Sequence, residues 1–234
     1  MSIRVIRHLP DTSDLERLVE YATITRKLGA VEESEVYVSI GGDTHSCLVE
    51  LWEDENALTE HWNDNAELLL QPRNVRDAPR VEFYRQQYFG LASGTWVPEG
   101  AGESEGLVHW PARGAVRVIA QGSEGDPEAA QDFLLADVDS TRREIGCIEY
   151  TRYSGVEHPQ HQLLLELWEN QRVYDAHWNL RTLTFKGGDG PNFVPRAYGT
   201  NGIEFYRASV FEHHYGRWLP SQAEERSIAI AWPQ

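Results

Sequence analysis

The 234-residue chain is poor in positive charge, with 21 Lys and Arg against 37 Asp and Glu and a formal net charge of −16. Such a surface repels a phosphate backbone, and no basic stripe interrupts it, which argues against nucleic acid and against an anionic membrane as partners. Cysteine is scarce as well. Cys47 and Cys147 are too few for a disulfide framework and are expected to be reduced, partly buried thiols. No apolar run reaches the roughly 20 residues that span a bilayer. Met1-Ser2-Ile3-Arg4 opens directly into a strand pattern rather than a signal peptide, so the expected location is the cytoplasm. His158-Pro159-Gln160-His161 and His213-His214 lack a carboxylate or thiolate at an established ligand spacing, and no functional metal is expected. Gly187-Gly188-Asp189-Gly190 lacks the Lys-Ser/Thr of a phosphate loop and does not follow a strand, which argues against a nucleotide site.

What the chain has in quantity is aromatic surface, in eight Trp and ten Tyr, and a sentence written twice. Leu48-Val49-Glu50-Leu51-Trp52-Glu53 and His61-Trp62-Asn63 return as Leu164-Leu165-Glu166-Leu167-Trp168-Glu169 and His177-Trp178-Asn179, an offset of 116 from Glu50 to Glu166. Val81-Glu82-Phe83-Tyr84-Arg85 returns as Ile203-Glu204-Phe205-Tyr206-Arg207, and Trp96-Val97-Pro98 as Trp218-Leu219-Pro220, now offset by 122. Trp110-Pro111 likewise returns as Trp232-Pro233. One six-residue insertion in the second copy accounts for the change. A period this long marks a duplicated domain, since solenoid units run to roughly 20–50 residues. The expected domains are 1–112 and 113–234, each large enough for its own core.

Each copy has the same order of elements. Ile3-Arg4-Val5-Ile6 and Val116-Arg117-Val118-Ile119 alternate as half-buried first strands should. Asp11 to Asp14 and Asp126-Pro127-Glu128 offer helix N-caps before apolar residues at helical spacing. Val31 to Ile40 and Cys47 to Trp52 read as two strands, as do Gly146 to Tyr153 and Gln162 to Trp168. The period then changes to 3.6: Leu58, His61, Trp62 and Asn65 share a face, as do Tyr174, His177, Trp178 and Arg181. The Phe-Tyr-Arg segments supply a fourth strand. This β-α-β-β-α-β order is that of a ferredoxin-like module, an antiparallel sheet with both helices on one side.

Glu-x-Trp-Glu followed by a helix carrying His and a second aromatic residue, set between these strands, resembles the antibiotic biosynthesis monooxygenase family. The resemblance covers nearly the whole chain. It implies an α+β fold in which two ferredoxin-like modules pack face to face as a dimeric α+β barrel, here within one polypeptide. It also implies an oxygenase of aromatic polyketide tailoring, using dioxygen on a polycyclic phenolic substrate with no tightly bound cofactor. Reduced flavin remains open, as in angucycline ring-opening oxygenases, and so does association of the fused pair into a homodimer. Haem degradation, known elsewhere in the superfamily, needs a His, Asn and Trp spacing that this chain does not reproduce. Relatives that oxidise anthrones carry a Trp on the third strand and a Tyr six residues later beside the substrate. Copy two has both, Trp168 and Tyr174; copy one keeps Trp52 but has Leu58 in the Tyr position. The Asn that single-domain relatives carry four residues before the Trp is Leu164 here.

A fused pair frees one site to drift, so the working pocket is placed in copy two. His177 is assigned as base or base-orienter, Tyr174 as proton relay, and Trp168 and Asn179 as hydrogen-bond donors to developing negative charge. Trp178, Phe185, Phe193, Arg196 and Tyr206 are placed against the substrate, with the insertion from Gly187 to Gly202 as a lid or an ordinary loop. The plainer alternatives stand beside these. Both His61 and His177 fit a fold-maintaining role, the tryptophans fit the core, and Glu50 and Glu166 fit the solvent face of the third strand. A cyclase, an isomerase or a binding module on the same pocket is the competing class.

Overall fold

The computed structural model describes residues 2–9, 15–41, 45–61, 80–92, 95–98, 113–185, 194–195, 203–208, 210–214 and 217–220. Copy one contributes β1 (Ile3–Leu9), α1 (Leu15–Thr25), β2 (Val31–Ser39), β3 (Ser46–Trp52), a helix α2 described over 55–61, β4 (Arg80–Arg85), and a hairpin of β5 (Phe89–Ala92) and β6 (Thr95–Pro98). Copy two contributes β7 (Val116–Ser123), α3 (Pro127–Thr141), β8 (Cys147–Gly155), β9 (His161–Trp168), α4 (Gln171–Phe185), the short β10 (Val194–Pro195), β11 (Ile203–Arg207), β12 (Val210–His214) and β13 (Arg217–Pro220). The helix starts follow local chemistry. Asp54, Asp126 and Asn170 each accept a backbone N–H of the first turn, and Pro127 fills a position whose N–H would be unused.

Strand order is β4-β1-β3-β2 in copy one and β11-β7-β9-β8 in copy two, antiparallel throughout, as expected for two ferredoxin-like modules. The two sheets join where β2 pairs with β8, from Tyr37 opposite Gly155 to Ser39 opposite Tyr153. At the other rim the copies close on each other reciprocally. Tyr88 bridges to Glu204, while Val210 pairs with Glu82, and these are the same two positions in the two copies. The result is a nearly closed α+β barrel within one chain.

Between the sheets lies one core, with Ile6, Tyr37, Val49 and Tyr84 from copy one against Ile119, Tyr153, Leu163, Leu165 and Tyr206 from copy two. Tyr84 and Tyr206, equivalent residues, stack across it with ring centroids 4.3 Å apart and planes within 7°. Copy two packs Val116, Val118, Trp168 and Phe205 against its helices on the outer face; copy one packs Ile3, Val5, Trp52 and Leu58.

The first strands are therefore buried on both faces, not half-buried as their alternation suggests. Arg4 and Arg117 are 0% exposed. The cost of burying a guanidinium is met by pairing it. Arg4 bonds Glu33 of its own copy at 2.6 Å and Glu204 of the other at 2.6 Å; Arg117 bonds Glu149 of its own copy at 3.0 Å and Glu82 of the other at 2.8 Å. A β-bulge precedes Glu33 in β2 and Glu149 in β8. Burial pushes the Glu82 carboxyl up, but Arg117 and His8 outweigh it and hold it well below the usual carboxylate range. The repeated Arg and Glu residues thus tie each copy to the other.

Among the described residues, no helix is long and apolar enough to cross a membrane.

Candidate functional site

The even-numbered residues of β9 point away from the barrel interior, toward α3 and α4. Strand pleating therefore puts Glu166 and Trp168, two residues apart, on one face. Glu166 is 4% exposed and Trp168 is fully buried, so the solvent-facing reading of Glu166 is corrected, and that of Glu50, at 0%, with it. The cause is the same for both: the helices cover this face.

The Trp168 indole Nε1 donates to Glu166 Oε2 at 2.9 Å. Around this pair stand Tyr174, 1% exposed, and His177, 6% exposed, on α4, and Tyr150 on β8. The Trp168 ring lies 4.6 Å from His177 and 6.1 Å from Tyr174; Tyr150 lies 6.1 Å from His177. Tyr150 donates its hydroxyl to Asp137 at 2.8 Å, and Arg152 pairs with the same carboxylate oxygen at 2.8 Å. His177 Nδ1 sits 2.7 Å from Glu144 Oε2. A neutral imidazole that donates from Nδ1 keeps Nε2 as its acceptor atom.

The electrostatics single out Glu166. Burial raises its carboxyl to about 7, with Asp137 and Glu144 adding to the rise, while the Trp168 hydrogen bond and Arg152 pull against it. Burial also raises the Tyr174 and Tyr150 hydroxyls, which stay protonated as donors. The cluster is a carboxyl that titrates near neutrality, walled by indole, phenol and imidazole. Such a group can take a proton from a bound acid and return it.

Of the residues singled out from the sequence, the fold brings together Trp168, Tyr174 and His177, with Trp178 half-buried at the margin. Asn179 is on the exposed side of α4. Tyr206 is on the other face of its strand, inside the barrel, where it stacks on Tyr84 and donates to Glu204 at 2.6 Å. One-residue alternation separates it from Phe205, which does face the cluster, 5.2 Å from Tyr174. Phe185 ends α4 with its side chain outside the described part. Phe193, Arg196 and most of the insertion also lie outside the described residues.

Sequence reasoning placed Glu166 on the solvent face and passed over Tyr150, Asp137 and Trp96. For Glu166 a signal existed, because Glu-x-Trp on a strand forces the carboxylate onto the face of the tryptophan. Trp96 is less accessible to such reasoning, since it belongs to copy one. The hairpin β5–β6 reaches across to copy two, where Phe89 packs against Phe205 and Trp96 packs against Tyr174 and Trp178 at 5.9 and 5.1 Å.

Residues 116–182 match the family model described as antibiotic biosynthesis monooxygenase. This segment is similar to that family. It contains the whole of β7, α3, β8 and β9 and most of α4, and so Tyr150, Glu166, Trp168, Tyr174 and His177. No curated protein matches the chain. Among solved structures, the chain is similar to a protein of Lactobacillus acidophilus NCFM given a provisional monooxygenase name, at 11% identity over 94% of this chain and 99% of that one, with a TM-score of 0.34. A conserved protein of Methanosarcina mazei Go1 is 25% identical over 40% of this chain and 92% of that one, with a TM-score of 0.31. An anthrone oxidase-like protein is 11% identical over 92% and 95% of the two chains, with a TM-score of 0.32.

Proposed function

We propose that the protein is an oxygenase of aromatic polyketide tailoring that uses the helix-side cluster of copy two on a polycyclic phenol or anthrone. The family match over residues 116–182 supports the oxygenase class. The observation that carries the site is Glu166, a buried carboxyl raised to about 7 among Trp168, Tyr174 and His177.

Glu166 removes the acidic C–H or O–H proton of the substrate. The resulting carbanion or phenolate is electron-rich enough to give one electron to dioxygen, and recombination of the radical pair forms a hydroperoxide. For a methylene carbon, loss of water then leaves a carbonyl: one oxygen atom enters the product and the other leaves as water. The substrate is its own reductant, so this route requires neither flavin nor metal. The protonated Tyr174 hydroxyl supplies a donor to the developing oxyanion, while His177, held by Glu144 through Nδ1, offers Nε2 as an acceptor. A non-oxidative isomerase would use the same proton transfer to Glu166, and oxygen separates the two. The purified protein is expected to consume one dioxygen per anthrone converted, with one labelled oxygen atom in the product from ¹⁸O₂. Product without oxygen uptake would replace this reading with isomerisation.

A further inference from the structure

Copy two's aromatic cluster is completed by copy one. Trp96 is 4% exposed, and its backbone is held on both sides by α4: Gln171 Nε2 donates to the Trp96 carbonyl at 2.6 Å, and Asp175 Oδ1 accepts from the Trp96 N–H at 3.3 Å. These helix residues are four apart and so share a face. A main chain pinned in this way fixes where the indole lies. The ring stands edge-on to Trp178, with 79° between the planes, and tilted against Tyr174 at 49°. Burial raises Asp175 to about 6, so its carboxylate is the accepting form at neutral pH.

The Trp96 indole N–H has no hydrogen-bond partner among the described residues. The contrast with Trp168 is direct, because the Trp168 N–H is taken up by Glu166. An indole nitrogen donates only and cannot ionise or rotate to another role. A buried donor without an acceptor costs the protein the desolvation of that group, a cost that phenylalanine at the same place would avoid. A ligand that brings an acceptor oxygen to this wall recovers it.

We propose that Trp96 is a specificity residue of the copy-two site, donating its indole N–H to a carbonyl or phenolate oxygen on a planar aromatic ligand. The proposal rests on the reading of this cluster as a slot for polycyclic aromatics, but not on the oxidation itself. It also gives the fusion a purpose: neither half holds a complete site. The two recognition elements divide the work. Glu166 takes the proton, and Trp96 selects a ligand by its oxygen. A hydrocarbon of the same shape satisfies the rings and leaves the indole unmet, and polar sites discriminate strongly against such analogues.

The test is anaerobic, so that binding is read without turnover. Full-length protein is titrated with anthrone and with 9,10-dihydroanthracene, which has the same skeleton without the carbonyl. Wild type is expected to prefer anthrone. Trp96→Phe is expected to weaken anthrone by about 3- to 10-fold and to change dihydroanthracene by less than about twofold. Trp52→Phe, in copy one, is expected to change neither. A second readout needs no variant to fold well: with ¹⁵N-indole-labelled tryptophan, the Trp96 N–H resonance moves downfield with anthrone and stays in place with dihydroanthracene. Equal weakening of both ligands, or an indole resonance that ignores anthrone, overturns the proposal. Failure of wild type to bind either compound overturns it together with the aromatic-slot reading. Selective binding through Trp96 with no oxygen uptake in air leaves this proposal standing and removes the oxygenase.

Discussion

Glu50 and Glu166 occupy the same place in the two copies, on the third strand of each sheet, two residues before a buried tryptophan and facing the helices. Their neighbours differ. Glu50 lies 2.8 Å from the Arg7 guanidinium and accepts from the Tyr21 hydroxyl at 3.3 Å, and that hydroxyl is also 2.7 Å from His61 Nε2. In copy two the Arg7 position is Ala120 and the Tyr21 position is Asp137, so Glu166 has the Trp168 indole for its bonded partner. The arginine of copy two enters instead from β8, as Arg152, and is paired with Asp137. A buried carboxylate with its own guanidinium belongs to the structure, and one left beside neutral aromatic rings is poised to exchange a proton. The comparison teaches that duplication kept the frame and moved one positive charge.

The largest effect that would break the comparison is functional. Glu166→Gln is expected to lower turnover by about 10²- to 10⁴-fold, the usual worth of a general base, while Glu50→Gln stays within about twofold. Equal losses from both would mean the copies are not differentiated. The same variant carries a stability signature of opposite sign. Glu166 is raised from an ordinary 4.5 to about 7 by burial, so the native state binds its proton more tightly than the unfolded chain does. Native stability therefore falls as pH rises from about 4.5 to about 7, by on the order of 3 kcal/mol for this group. Glu166→Gln removes that loss. Denaturation of the variant at pH 8 is expected to show a more stable protein than wild type, with the gain fading toward pH 4. A variant less stable at pH 8 would mean that Glu166 is paired after all.

Arg7→Met probes the other member of the comparison. It strips Glu50 of its guanidinium and leaves a buried carboxylate, a change that typically costs about 3–5 kcal/mol. Urea unfolding of the variant is expected to show that loss, and adding Glu50→Gln is expected to recover most of it, as a double-mutant cycle would measure. Turnover per folded molecule should stay near wild type. A loss of activity in the folded Arg7→Met protein would bring copy one into the chemistry.

The legibility of these features from sequence follows the physics of each. The module order was readable because every strand and helix carries its own period and cap, from Asp126-Pro127 to the Glu-x-Trp segments, and those are local. The half-buried reading of the first strands, which left Arg4 and Arg117 on an open face, failed because alternation reports which residues are polar and cannot report that a second sheet covers the polar face. Their pairing partners sit in the other copy, 200 residues apart for Arg4 and Glu204. Tyr174 was found from the resemblance and His177 from its place on the same helix face, and Glu166 was read as solvent-facing because a lone strand carboxylate ordinarily faces water. Trp96 could be placed only by knowing that a hairpin of one copy lies on the helix of the other.

The smallest effect sharpens the comparison most, because it tests the bond that distinguishes Glu166. The Trp168 indole N–H is the hydrogen bond that stabilises the ionised carboxylate; without it, burial acts with less opposition. Trp168→Phe keeps an aromatic ring in the cluster and deletes the donor. The Glu166 carboxyl then rises further above 7, and the rate limb that depends on its ionised form moves to higher pH, by about one pH unit for the loss of one bond to a charged acceptor. The plateau rate at high pH is expected to change less than the midpoint, since the base itself remains. Trp52→Phe has no such bond to remove, and its profile should overlay that of wild type. A pH–rate profile unmoved by Trp168→Phe would show that proton transfer in copy two runs through a group other than Glu166, with His177 the next to test.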